Sequence, residues 1–94
     1  MSTYCGTVTT SGQITSNNNF SCQYDSGQQK YTIDYNGHVT NPVVVVSLTL
    51  QGVIGLTYIL YSYTGGFTMQ VFQDVSGTQT PVASSFNFIV SELV

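Results

Sequence analysis

The sequence predicts an all-β fold, an antiparallel β-sandwich of about six strands forming one domain over residues 1–94. Three observations carry the prediction. Phe20-Ser21-Cys22-Gln23-Tyr24, Tyr31-Thr32-Ile33-Asp34-Tyr35 and Phe67-Thr68-Met69-Gln70-Val71 alternate apolar and polar residues, the period of a half-buried strand. No segment spaces its apolar residues as a helix would. Turn residues punctuate the chain every ~8–12 positions, the spacing of antiparallel sandwiches and barrels.

Taken in order, Gly6-Thr7-Val8-Thr9-Thr10 is a short β-prone segment, and Ser11-Gly12 turns it into Gln13-Ile14-Thr15. Ser16-Asn17-Asn18-Asn19 is a loop before the Phe20–Tyr24 strand, whose inward residues are Phe20, Cys22 and Tyr24. Asp25-Ser26-Gly27-Gln28 is a turn into the Lys30–Tyr35 strand, and Asn36-Gly37 opens a loop that runs to Pro42.

Val43-Val44-Val45-Val46-Ser47-Leu48-Thr49-Leu50 follows. Four valines in a row lose χ1 freedom in a helix and sit easily on a pleated strand. The run does not alternate, so both of its faces are expected to be covered, one by the core and the other by a second subunit. Gln51-Gly52-Val53-Ile54-Gly55 reads as an apolar loop. The next strand, Thr57–Tyr63, places Thr57, Ile59, Tyr61 and Tyr63 on one side and Tyr58 and Leu60 on the other, again apolar on both faces. Thr64-Gly65-Gly66 is a hairpin turn, after which Phe67, Met69 and Val71 face inward. Asp74–Thr80 reads as a polar loop ended by Pro81, and Ala83–Val90 as the last strand, with Phe86, Phe88 and Val90 on one face.

Charge is nearly absent. Lys30, Asp25, Asp34, Asp74 and Glu92 are the only charged residues, there is no arginine, and the formal net charge is −3. Nucleic-acid binding needs several cations on phosphates, so that class is excluded, and attraction to anionic membranes with it. The longest apolar stretch, near Val53–Tyr63, is shorter than the ~20 residues that cross a bilayer, so no membrane insertion is expected. Hydrophobic residues make up 41% of the chain and aromatic ones 13%, a folding composition rather than a disordered one. Met1-Ser2-Thr3-Tyr4 lacks the basic start and apolar segment of a signal peptide. The expectation is a product made in the cytoplasm that stays there, travels in a virion, or is released extracellularly by lysis.

Cys5 and Cys22 are the only cysteines. A disulfide between them would close a loop of about 18 residues and add roughly 3 kcal/mol; the other reading is two reduced thiols. Two cysteines and one histidine do not complete a zinc site, and neither a metal nor a cofactor is expected. His38, the only histidine, lies in a Gly/Asn/Pro loop with Asp34 on the strand before it, and no serine is marked as a nucleophile beside them. The four carboxylates stand in ordinary turn, strand and terminal contexts. Gly65-Gly66 joins two strands, whereas a phosphate cradle opens a helix. An enzyme is therefore not expected. The seven tyrosines (4, 24, 31, 35, 58, 61 and 63) are the residues suited to recognition, since each offers an apolar face and a hydroxyl. Tyr31, Tyr35, Tyr61 and Tyr63 are equally suited to packing in the core or between subunits.

From Gly12 to Val90 the pattern resembles the H-type lectins, the domain of snail agglutinins and of the discoidin C-terminal module. The matching stretches are Ser11-Gly12-Gln13-Ile14, Tyr31-Thr32-Ile33-Asp34-Tyr35 and Asn41-Pro42-Val43-Val44-Val45-Val46-Ser47-Leu48. Thr64-Gly65-Gly66-Phe67 and Phe86-Asn87-Phe88-Ile89-Val90 complete the series. The layout also looks like the small tip domains of phage tail fibres. The resemblance implies a six-stranded sandwich that assembles as a homotrimer or hexamer and binds N-acetylgalactosamine-type sugars between subunits. The family's arginine after the valine run is absent here, with Thr57 near its place, and its Trp-containing turn is replaced by Gln73-Asp74-Val75-Ser76. The expectation is thus a homo-oligomeric adhesion module for cell-surface glycans, with Asp74, Gln73 and Tyr63 as its ligand residues. The alternative is a structural virion or tail-fibre assembly protein without a glycan ligand.

Overall fold

The structure, a computed structural model, describes residues 2–49 and 55–93. It is a two-layer antiparallel β-sandwich. The strands are β1 (Thr3–Val8), β2 (Ile14–Ser16), β3 (Ser21–Asp25), β4 (Lys30–Asp34), β5 (Pro42–Leu48), β6 (Leu56–Tyr63), β7 (Gly66–Val75), β8 (Thr78–Val82) and β9 (Phe86–Glu92). The first sheet has the order β2-β1-β9-β5. The second has the order β3-β4-β7-β6, with β8 paired to the distal half of β7.

Nine strands among the described residues replace the expected six, largely because short segments pair as well as long ones. The Asp74–Thr80 stretch, expected to be a polar loop, is a hairpin. Ser76 (φ 52°) and Gly77 (φ 84°) both take the left-handed conformation, which a two-residue type I′ turn requires. This joins Val75 to Thr78 and lets β7 run ten residues. Pro81 is accommodated because β8 pairs with β7 alone, leaving its other edge free of ladder bonds. The last strand begins at Phe86 rather than Ala83, since Ser84 and Ser85 bond to residues of other segments. Leu50 and most of the apolar loop expected after it lie outside the described residues.

Alternation decides what each strand buries. Val44, Val46 and Leu48 of β5 pack on the core while Val43 and Val45 are exposed. The valine run therefore obeys the two-residue period, and its outer face is uncovered in the single chain. Tyr31, Ile33, Phe67, Met69 and Val71 from the second sheet meet Val8, Phe86, Phe88 and Val90 from the first. The layers touch through edge-to-face rings, Phe67 on Phe88 at 5.6 Å and Tyr31 on Phe86 at 5.4 Å between centroids. A Cβ on Gly66 would stand 2.0 Å from the Ile33 carbonyl oxygen, so glycine there lets β7 approach β4.

Two polar clasps hold the connections. The Tyr31 hydroxyl donates to the Thr10 carbonyl (2.7 Å) and accepts from the Ser84 amide (3.1 Å). Burial pushes its pKa up to about 12. Tyr35 is equally buried, yet its hydroxyl has no partner among the described residues. At the surface, the Glu92 carboxylate accepts the amides of Thr40 (2.9 Å) and Asn41 (2.6 Å), tying the β4–β5 loop to the end of β9.

Tyr31→Phe is expected to cost about 2 kcal/mol, because it leaves a buried amide and a carbonyl unpaired. Tyr35→Phe is expected to be neutral or stabilising, since it removes a buried hydroxyl with no partner among the described residues. Urea midpoints of the two variants check both. The Thr40 amide, followed by the Asn41 amide and the Thr40 hydroxyl, lowers the Glu92 pKa below that of a free glutamate. A carboxylate lowered in the folded state stabilises fully above its unfolded pKa and loses that contribution as pH falls through the folded value. The Thr40 and Asn41 amide resonances should titrate with a midpoint below the usual glutamate range, and Glu92→Gln should abolish that transition.

Candidate functional site

The outer face of the second sheet is built by β6, β7, β4 and β3. Alternation along β6 turns Thr57, Ile59, Tyr61 and Tyr63 away from the core, while Leu56 and Leu60 pack on it. β6 is an edge strand, so these outward side chains form the rim of the face. Tyr61 is 63% exposed and Ile59 59%. The Tyr61 and Tyr63 rings lie 5.7 Å apart with 32° between their planes. Together they make a broad aromatic ledge with two phenol groups.

Register supplies the polar floor beside the ledge. Tyr61 pairs with Thr68, Thr68 with Thr32, and Thr32 with Gln23. One row thus runs from a ring across two hydroxyls to an amide, over about 14 Å at strand spacing. The next row is Ile59, Gln70, Lys30 and Asp25. The Gln70 side-chain amide donates to the Gln28 carbonyl at 2.8 Å, which fixes it against the β3–β4 turn. Asp25 accepts the Gly27 amide at 2.9 Å and Asp34 the Asn36 amide at 2.7 Å. Asp25 and Asp34 thus brace the turns that follow them.

The three ligand residues expected from the sequence do not come together. Tyr63 pairs with Gly66 at one end of β7, whereas Gln73 pairs with Leu56 seven residues further on, about 24 Å away along a strand. Gln73 is half-buried, and Asp74 is exposed beside the hairpin tip with its amide directed at the Gly55 carbonyl (3.4 Å). The straight continuation of β7 is what separates them. Tyr63 belongs to the aromatic ledge; Gln73 and Asp74 do not. Thr68, Gln70 and Thr32 are the members that sequence reasoning missed, and Tyr61 was named only among the tyrosines suited to recognition. Their signal was the shared parity along β6 and β7, but their juxtaposition depends on cross-strand register.

Both cysteines are free thiols. Cys5 points outward from β1 in the first sheet, and Cys22 points inward from β3 in the second. A disulfide needs its Cα atoms within about 7 Å and its Cβ atoms converging, and layers packed ~10 Å apart with one thiol facing away do not provide that. The bridge considered for Cys5 and Cys22 is therefore not formed. His38 sits in the β4–β5 loop, its amide bonded to the Tyr35 carbonyl (3.1 Å) and its ring 6.3 Å from that of Phe20. Among the described residues no three of His, Cys, Asp or Glu group as a metal set.

Compared with family models, curated proteins and solved structures, the chain matches none. The geometry of the faces therefore carries the functional argument.

Burial pushes the Cys22 pKa up to about 11, so the thiol stays protonated and unreactive at neutral pH. Iodoacetamide is expected to leave Cys22 unmodified in the folded protein and to alkylate it in urea, as mass mapping would read.

Proposed function

We propose that the chain is a non-enzymatic, lectin-like recognition module that binds carbohydrate on the outer face of the second sheet and works as a homo-oligomer. The observation that carries this reading is the exposed Tyr61–Tyr63 ledge beside the Thr68, Thr32 and Gln70 row. A sugar ring presents an apolar C–H face and an edge of hydroxyls. Tyrosine rings take the first, and neutral hydroxyl and amide side chains take the second. The near-absence of charge suits a neutral glycan better than an ionic ligand. In this reading the module needs no metal or cofactor and acts at a cell or virion surface. The H-type lectin resemblance supports the recognition class. The site proposed is a sheet face, not an arginine-bearing cleft between subunits.

A structural assembly role, as in a virion or tail fibre, is the second reading. It is favoured by the aliphatic outer face of the first sheet, where Val43, Val45 and Ile89 are exposed.

A glycan array separates the two. Wild-type protein is expected to bind a defined set of neutral glycans, and Tyr61→Ala or Tyr63→Ala to weaken binding about tenfold, equivalent to about 1.4 kcal/mol. Asp74→Ala is expected to leave it unchanged. Failure of the wild-type protein to bind any glycan, or indifference to both tyrosine substitutions, would sink the recognition reading.

A further inference from the structure

The two outer faces differ in chemistry. Lys30, Asp25 and Asp34 all lie on the second sheet's outer face, and Asp74 stands at the hairpin end. The first sheet's outer face carries no charge among its described residues. Its middle row is Val45 on β5, Ile89 on β9 and Cys5 on β1. The flanking rows are Val43-Ser91-Thr3 and Ser47-Asn87-Thr7-Thr15. Val45 is 61% and Ile89 49% exposed. They line a shallow, apolar recess of about 90 Å³ together with Val46, Ser47, Asn87 and Phe88.

We infer that this face is a two-fold contact with a second copy of the same chain, deepening the oligomeric part of the function proposed above. Charge is the first argument. The chain is acidic overall, so any face bearing carboxylates would repel its own copy, and the first sheet's outer face is the one that brings none. A charged partner would gain nothing there. Shape is the second. A two-fold axis in the plane of the face makes the contact isologous, so the protruding Val45 and Ile89 of each copy can enter the recess of the other, as side chains interdigitate between packed sheets. Area is the third. Strands of three, six, seven and seven residues, at ~4.8 Å spacing and ~3.4 Å per residue, give a footprint of about 375 Å² per copy. That is less than a stable dimer buries and implies a weak dimer that forms and dissolves with concentration. Assemblies built on it hold even numbers of chains: a dimer, or a hexamer made of three such pairs.

Light scattering from micromolar to millimolar protein tests this. The expected mass rises from 10.2 kDa to an even multiple of it, and alkylation of the outward Cys5 slows in parallel as the face is covered. Val45→Lys and Ile89→Lys, both at exposed positions, should each weaken association more than about tenfold by setting like charges against each other. Their thermal melts report that the fold persists. Tyr61→Ala should leave association untouched. A monomer at every concentration, an odd-numbered assembly, or an assembly indifferent to both lysines would overturn the inference. The glycan array, run on the same samples, scores the recognition reading separately, because it responds to Tyr61 and not to Val45.

Discussion

The sandwich depends on the two hydrogen bonds of the Tyr31 hydroxyl. Tyr31 belongs to the second sheet, yet its partners, the Thr10 carbonyl and the Ser84 amide, sit in connections leading to first-sheet strands β2 and β9. A loop that dips toward the core brings backbone groups that must be paired, and a buried phenol supplies an acceptor and a donor at once. The same ring stacks on Tyr24 at 4.6 Å and meets Phe86 edge-on. Its position therefore sets how the layers lie over one another. Tyr35, two turns of the same alternation further along, fills volume without this bonding, which marks the Tyr31 hydroxyl as structural and the Tyr35 ring as packing.

Charge is used in a related way. Three of the four carboxylates accept backbone amides from neighbouring loops: Asp25 from Gly27, Asp34 from Asn36 and Glu92 from Thr40 and Asn41. Charge-assisted bonds to amides are stronger than neutral ones. A chain with so few ionic groups thus places most of its anions where they hold turns. What remains on the two broad faces is valine and isoleucine among small polar residues on one side, and tyrosine with hydroxyls on the other. That asymmetry is what the proposed division rests on, with one face for assembly and the opposite one for a ligand.

Much of the fold was legible because alternation is a local property. Phe67, Met69 and Val71 were read as inward from their spacing alone, and the parity of Tyr61 and Tyr63 was read the same way. The Asp74–Thr80 hairpin was hidden because serine is an unusual first residue for a type I′ turn, and polarity argued for a loop. The valine run was hard to read for a different reason. Its composition is uniform, but its burial alternates, and only pairing with β9 reveals which valines face out. The candidate site was least legible. Tyr61 and Gln23 lie far apart in sequence, and only the register of four strands sets them in one row.

Lys30, the chain's only lysine, projects from β4 onto the tyrosine-bearing face. Any support that captures the protein through its side-chain amine therefore anchors it by that face and turns the ledge toward the surface. Thiol coupling through Cys5 does the opposite, anchoring the aliphatic face and presenting the tyrosines to solution. The orientation of this protein on a sensor chip or bead is thus written into two residues. A null binding result on a surface coupled through Lys30 would report the geometry of attachment before it reported the protein.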